Sequence, residues 1–168
     1  MKDLPWMIEA RKYIGLAEVA GPKHNPTILG WLRDLEAWWA EDETPWCGTF
    51  VATVLRVSNR HIVKHWYRAL AWREGGTLLS KPAHGCLVVF SRAGGGHVGF
   101  LEGVDSRGNL MVLGGNQGNR VSVAPFDPKR AVAFVWPSRA DGTPSLPYPE
   151  RYELPVLRSD GKLSTNEA

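Results

Sequence analysis

The chain has 168 residues, 43% of them hydrophobic and 22% charged, which indicates a globular protein of about one domain and excludes a disordered or fibrous one. Its net charge of +3 and pI of about 9.0 favour anionic partners, but the basic residues are scattered and no lysine- and arginine-rich block indicates nucleic-acid binding. No apolar stretch approaches the roughly 18 residues of a transmembrane helix, and the start of the chain lacks the apolar region of a secretory signal, so we expect a cytoplasmic product without a signal peptide.

Apolar residues at helical spacing predict four helices in the first half of the chain. The first extends over residues 5–14 and ends at Gly15. The second begins at Pro26 after the capping residue Asn25, and its apolar stripe continues to Trp39. The third covers residues 45–56, and a shorter fourth covers residues 66–73 before a glycine pair that stops it.

The third predicted helix carries a cysteine in its first turn. Thr44 is the predicted N-cap and Pro45 the first helical residue, which places Cys47 among the free N–H groups of the helix start. These donors and the helix dipole favour a thiolate, so we expect Cys47 to lose its proton below the pKa of about 8.5 of a free cysteine. The same donors can stabilise an oxyanion. Cys86 opens a predicted buried strand and is interpreted as a core residue.

The pair Gly75-Gly76 marks a change from helices to strands, which predicts the α+β class. Five short β-rich runs follow, separated by turn residues, at 86–90, 97–102, 110–113, 120–123 and 131–136. The segment 105–109 is typical of a hairpin, so the second and third strands are expected to be antiparallel neighbours. From Pro137 onward prolines alternate with polar residues, which predicts a domain over residues 1–137 and an extended arm or tail over 138–168.

Two polar segments of the predicted sheet supply partners for the cysteine. Three glycines lead to His97 at a strand start, where the backbone turns sharply or admits a ligand, so Gly96 is assigned to substrate binding and the imidazole is expected to face the helix layer. At the end of the next strand, Asn116 is predicted to accept the Nδ1 proton of the histidine and hold its ring. Gln117, also assigned to substrate binding, and Asn119 stay open as alternatives for that role.

Tryptophans surround the cysteine in sequence. Trp38 and Trp39 are predicted to cap the core between helices, whereas Trp46 borders the thiol and is assigned to substrate binding. Asp42 and Glu43 between them are candidates to attract the free amine of a peptide substrate. The remaining histidines are treated as background, and since none shows the spacing of a metal ligand, no metal or cofactor is expected; they are His24, His61, His65 and His84.

Three segments together resemble the CHAP family of cysteine, histidine-dependent amidohydrolases and peptidases, related to NlpC-type papain-fold enzymes. They are Pro45-Trp46-Cys47-Gly48-Thr49-Phe50-Val51, Gly96-His97-Val98-Gly99-Phe100 and Leu113-Gly114-Gly115-Asn116-Gln117. The resemblance implies a papain-like fold, in which the cysteine helix packs on an antiparallel sheet of about five strands. Related chains often carry an acidic residue at the position of Gly114. Because this chain has glycine there, a Cys47-His97-Asn116 triad is expected rather than one that uses glutamate. They also often begin the first strand with Gly-Asp, where this chain has Gly85-Cys86.

The same resemblance implies cleavage of an amide bond of bacterial peptidoglycan, by an amidase or by a stem-peptide or cross-bridge endopeptidase. We expect a monomeric phage or prophage endolysin that stays in the cytoplasm until release and acts in the periplasm or cell wall. Two alternatives with the same chemistry are an effector delivered by a type VI secretion system and a phage-tail hydrolase. An inactive papain-fold module that binds peptidoglycan or a protein is the non-enzymatic alternative.

Overall fold

The computed structural model describes residues 2–165 and confirms the α+β class. In this part of the chain three α-helices precede a six-stranded sheet; they are α1 (Pro5–Arg11), α2 (Pro26–Asp34) and α3 (Cys47–Val57). Short 3₁₀ helices occupy Ala69–Glu74, Pro128–Arg130 and Pro149–Tyr152. The strands are β1 (Gly76–Leu79), β2 (Leu87–Arg92), β3 (Gly95–Val104), β4 (Leu110–Gly114), β5 (Ser122–Phe126) and β6 (Ala131–Pro137).

The helix starts show how local chemistry sets the element boundaries. At α2 the Asn25 side chain accepts the N–H of Thr27 at 2.8 Å, as predicted for a cap. At α3 the prediction was wrong by two residues, because Thr44 bonds the Glu41 carboxylate in the preceding turn and Trp46 becomes the N-cap without a side-chain bond. Cys47 is therefore the first residue of α3.

The sheet is antiparallel throughout, in the order β1-β6-β2-β3-β4-β5. Five of its strands correspond to the predicted runs, and β3 and β4 form the predicted hairpin. The first strand, β1, was not predicted; it pairs with β6 at the edge of the sheet. The fourth predicted helix is the 3₁₀ helix Ala69–Glu74, which ends before Gly75 as expected.

One core lies between the helices and the sheet. Phe50 of α3 packs edge-on against Phe100 of β3, with ring centroids 6.3 Å apart. Trp6 of α1 packs in the same manner against Trp136 of β6 at 5.4 Å. Cys86 is fully buried in this core, as predicted. Among residues 2–165 no helix combines the length and apolar character needed to cross a bilayer.

The described part of the predicted arm, residues 138–165, lies against the domain. Its backbone bonds to that of the domain at several points, including Val104 N–H to the Pro155 carbonyl at 2.9 Å and His84 N–H to the Arg151 carbonyl at 2.7 Å. The Arg151 side chain is buried and its guanidinium donates to His84 Nδ1 at 2.8 Å. The segment thus extends the folded domain rather than leaving it.

Candidate active site

Cys47 lies at the start of α3 and borders a surface cleft. The residue is 4% exposed, and the cleft beside it has a volume of about 350 Å³. The backbone N–H groups of Val98 and Gly48 lie close enough to the sulfur to stabilise its charged form by hydrogen bonding. The other residues that line the cleft come from the loop before α3, the segment 67–70 and the glycine turn, and they are Pro45, Tyr67, Arg68, Ala69, Leu70, Gly94, Gly95 and Gly96.

Burial raises the pKa of the Cys47 thiol above its ordinary value. The Val98 and Gly48 N–H groups and the positive charge of Arg92 lower this pKa, but they do not offset the loss of hydration. The expected fall in pKa is therefore wrong for this structure, because the helix start that supplies the donors is packed inside the protein. The thiol rests in its neutral form near pH 7 and needs a base to become a nucleophile.

Two glycines allow the cleft walls to meet closely around the thiol. A Cβ on Gly48 would clash with the carbonyl oxygen of Trp66, so α3 can approach the segment 66–70 only with glycine there. A Cβ on Gly96 would come within 2.8 Å of the Leu70 side chain and 2.7 Å of the Phe90 carbonyl oxygen. Gly96 thus lines the cleft, and its role there is to leave space for Leu70 and the Phe90 carbonyl.

His97 precedes Val98 in β3, so the histidine strand and the thiol meet at one point of the sheet. Its imidazole is fully buried and stacks on Phe126 at 5.3 Å and on Phe90 at 6.2 Å. Successive side chains of a strand face opposite sides, and Phe100 faces α3. The imidazole therefore lies on the other face, and the expectation that it faces the helix layer is wrong.

Gln117 holds the imidazole. Its Oε1 lies 2.9 Å from His97 Nε2, while its Nε2 donates to the carbonyls of Val112 at 3.1 Å and Ser122 at 2.9 Å. Because carbonyls only accept, the amide must point its NH₂ group at them and its oxygen at the imidazole. His97 Nε2 therefore carries a proton, and in the neutral ring Nδ1 has the basic lone pair.

The loop after β4 explains a departure from the family pattern. A Cβ on Gly114 would clash with Gln117 Oε1 and would come within 3.3 Å of His97 Nε2. The Gln117 amide thus occupies the space next to the imidazole that a side chain at position 114 would need. Asn116, predicted to orient the histidine, is buried with a left-handed backbone at φ 60°, and Asn119 has φ 62°.

The predicted positions of Trp46 and Trp38 are both wrong. Trp46 is 1% exposed and packs against Trp31, so it belongs to the core and not to the cleft. Trp38 is 90% exposed, contrary to the predicted core position, and Trp39 is partly buried. Hydrophobicity alone could not separate these three residues.

Other charged and polar candidates also find structural explanations. Asp42 is fully buried and accepts the N–H groups of Val19 at 2.8 Å and Asn25 at 2.6 Å, so it braces the loop before α2. Tyr67 and Arg68 line the cleft but were not singled out from the sequence, where they carry no signal beyond their residue types. In residues 2–165 no three or more His, Cys, Asp and Glu side chains are grouped so that they could hold a metal ion.

Comparison with known proteins adds one match. Residues 39–116 match the family model of the CHAP domain, a span that includes Cys47, His97 and Asn116. Neither the curated proteins nor the solved structures gave a significant match. The matched span covers α3, the residues that line the cleft and the strands up to β4, and it ends one residue before Gln117. Residues 39–116 are therefore similar to a CHAP domain, which supports a peptidoglycan hydrolase of the amidase or peptidase type.

Proposed function

We propose that the protein cleaves a peptidoglycan amide bond with Cys47 as nucleophile and His97 as base. The observation that carries the proposal is the position of the thiol, at the start of α3, beside an open cleft and against the backbone of the histidine strand. Arg68 in the cleft wall and Arg92 near the thiol supply positive charge, which suits the carboxylates of stem peptides.

The reaction starts from a neutral thiol and a neutral imidazole. His97 Nδ1 takes the thiol proton as the sulfur attacks the carbonyl carbon, and the N–H groups of Cys47 and Gly48 stabilise the oxyanion. The imidazolium then protonates the leaving amine, and the C–N bond breaks to leave a thioester. Water, deprotonated by His97, hydrolyses the thioester and restores the thiol. In this structure the imidazole lies on the face of β3 opposite to α3, against Phe90 and Phe126, so this sequence requires the start of β3 to turn when substrate binds and bring Nδ1 within hydrogen-bonding distance of the sulfur.

We assign the orienting role in this site to Gln117. Its amide keeps the proton of His97 on Nε2, which leaves Nδ1 to accept the proton of the thiol. All its polar atoms are engaged inside the protein, and the residue is 3% exposed, so its geometry favours this role over the substrate contact expected from the sequence. Asn116 precedes Gln117 in the loop after β4 and has a left-handed backbone with φ 60°.

The test is lysis of purified cell walls by matched cysteine variants. Cys47→Ala and Cys47→Ser should abolish lysis while the thermal unfolding curve stays close to that of the wild type. Cys86→Ala serves as the control, since this buried thiol lies in the core and should affect stability and not the chemistry. Undiminished lysis by Cys47→Ala would refute the thiol mechanism.

A second candidate function is an inactive module that binds peptidoglycan or a protein. The observation in its favour is the near-complete burial of Cys47 and His97, which limits the access of solvent to both reactive groups. The two candidates differ in whether His97 activates the thiol. In an enzyme, His97→Ala should slow thiol alkylation of Cys47 in the presence of a peptidoglycan fragment, whereas in a binding module it should leave the rate unchanged.

For the biological setting we propose a phage or prophage endolysin that lyses the host. The net charge of +3 is compatible with an anionic cell envelope. A delivered antibacterial effector and a phage-tail hydrolase use the same chemistry. Neighbouring genes for a holin, an immunity protein or tail components distinguish the three settings.

A further inference from the structure

A group of aromatic side chains lies beside the catalytic cleft, and we call it the aromatic platform. It consists of Trp38, Trp39, Trp66 and Tyr67. Trp39 stacks on Trp66 with ring centroids 5.7 Å apart, and Trp38 meets Trp39 at 5.3 Å. Trp38 is 90% exposed, although its neighbour in the sequence packs inward. A tryptophan so exposed on a bed of other aromatic rings is typical of a binding surface.

The platform is continuous with the site of the nucleophile. Tyr67 lines the cleft that Cys47 borders, and its ring is 5.9 Å from that of Trp39. The backbone of Trp66 touches the first turn of α3, where only glycine fits at position 48. A ligand on the platform would therefore reach the thiol without leaving the surface.

Polar groups stand next to these rings. His65 Nδ1 lies 3.1 Å from the Tyr67 hydroxyl, and the Arg68 guanidinium lies over the Tyr67 ring at 5.7 Å. Flat aromatic faces flanked by hydrogen-bonding groups suit a pyranose ring, whose C–H bonds stack on the negative face of an indole while its hydroxyls bind polar side chains. An aliphatic or purely peptidic ligand would make less use of this combination.

We infer that the aromatic platform binds the glycan strand of peptidoglycan next to the scissile bond. This inference rests on the proposed function and deepens it. A sugar on the platform places the bond adjacent to that sugar over Cys47, because Tyr67 is shared by platform and cleft. In the substrate this bond is the amide between the lactyl group of the muramic acid and the first residue of the peptide. The platform thus selects the amidase reaction over cleavage within the stem or cross-bridge.

The binding test uses the Cys47→Ala protein and a soluble N-acetylglucosamine tetramer, titrated by calorimetry. We expect binding that Trp38→Ala weakens by about fivefold to tenfold, the effect of losing one stacked ring, and that Trp38→Phe largely restores. Tyr148→Ala is the matched control, since Tyr148 is 77% exposed and lines a different cavity with Arg139 and Arg151. The inference would be overturned if the tetramer did not bind, or if adding Trp38→Ala to the Cys47→Ala protein left its affinity unchanged. A protein partner would then be the remaining occupant of the platform.

The products of the reaction test the bond. The wild-type enzyme should release sugar-free peptides from purified walls and leave the glycan strands free of them, as mass spectrometry of the fragments would show. Fragments that retain the lactyl–peptide amide would overturn the selection of the amidase reaction. The two tests are independent, because sugar binding by the Cys47→Ala protein needs no catalysis. Sugar binding together with a wild-type protein that does not lyse walls would contradict the proposed function but support the glycan site.

Discussion

At Cys47 two electrostatic effects oppose each other, and burial prevails over the donors of the helix start. The thiol has a pKa raised by loss of hydration, despite the N–H groups of Val98 and Gly48 that point at it. Resting Cys47 should therefore react slowly with iodoacetamide at pH 7. The rate should rise as the pH increases beyond the pKa of a free cysteine, which is about 8.5. Cys86, whose pKa is raised to about 12 and which is fully buried, should react more slowly still.

This prediction is checked by mass-spectrometric counting of labelled thiols between pH 6 and 10. Labelling in denaturant should make the two cysteines equivalent, and Cys47→Ala should remove the faster phase. A native Cys47 that reacts at pH 7 as fast as a small-molecule thiol would show that the N–H groups, and not burial, control its charge.

Gln117 gives the second prediction at the scale of single residues. Gln117→Leu removes the acceptor for the His97 Nε2 proton and should lower kcat by about 10²-fold or more. It also leaves the carbonyls of Val112 and Ser122 without their donor, which should cost roughly 1–3 kcal/mol of stability. Asn116→Ala should retain far more of the activity.

The pH–rate profile distinguishes an orienting role of Gln117 toward His97 from a purely structural role. Gln117→Glu retains an acceptor for His97 and adds a negative charge that favours the imidazolium, so the ascending limb of the profile should move to higher pH. A structural role alone would lower the rate equally at each pH. Activity that falls in Asn116→Ala and persists in Gln117→Leu would return the orienting role to Asn116.

At the scale of elements, the contact between α3 and the segment 66–70 depends on Gly48. Alanine is the better helix former by about 1 kcal/mol, yet Gly48→Ala should destabilise the protein and abolish lysis, because its methyl group would displace α3 from the Trp66 carbonyl. Gly30→Ala in α2 is the control, since the nearest atom to its Cβ would be the flexible end of Arg33 at 3.6 Å. Gly30→Ala should leave lysis intact and raise the melting temperature.

Melting curves and wall lysis of the two variants decide this point. If Gly48→Ala and Gly30→Ala raised the stability by the same small amount, the segment 66–70 would be able to move away from α3. The close approach of α3 to this segment would then not define the cleft.

The elements that the sequence predicted are those with a local signal. Helical spacing and turn residues identified α1, α2, α3 and five strands, although the stripe predicted to continue to Trp39 overshot the end of α2 at Asp34 by five residues. The edge strand β1 has no such signal: its four residues begin with glycine, and its partner β6 lies more than fifty residues further along the chain. The start of α3 shifted because the Glu41 carboxylate takes the Thr44 N–H and hydroxyl that the predicted cap needed.

The site was predictable in its residues and less so in its geometry. Glycines and polar residues in a family order singled out Cys47, His97 and the loop after β4. Which amide of that loop reaches the imidazole depends on backbone twists at Asn116 and on the space left at Gly114, and neither can be inferred from residue types. Likewise, only tertiary packing distinguishes the buried Trp46 from the exposed Trp38.

At the scale of the whole molecule, a network of charged groups joins the first helix, the sheet and the C-terminal segment. Arg11 of α1 makes two bonds to the Glu102 carboxylate in β3, at 2.7 and 2.8 Å. His84 Nε2 lies 3.3 Å from the same carboxylate, and its Nδ1 accepts from Arg151. Since a guanidinium only donates, the geometry has His84 Nδ1 accepting from Arg151 and His84 Nε2 donating to Glu102.

Glu102 makes the stability of this assembly depend on acid. Burial raises the pKa of its carboxyl, but the hydrogen bonds from Arg11 and His84 outweigh burial and hold the pKa at about 2. Since this lies below the roughly 4.3 of an unfolded glutamate, the carboxylate stabilises the fold fully above that pH, and the contribution disappears as the pH falls from about 4.5 to 2. Urea midpoints measured across this range should fall for the wild type, and the fall should be shallower for Glu102→Gln.

At pH 7 the same variant should lose stability by roughly 1–3 kcal/mol, because a half-buried Arg11 loses its charged acceptor. Glu9→Gln is the matched control: its ion pair with the exposed Lys12 should contribute at most about 0.5 kcal/mol. A Glu102→Gln protein whose midpoint falls with acid as steeply as that of the wild type would place the acid sensitivity elsewhere. In that case the network would join the C-terminal segment to α1 by geometry alone, without the charge of Glu102 contributing measurably to the fold.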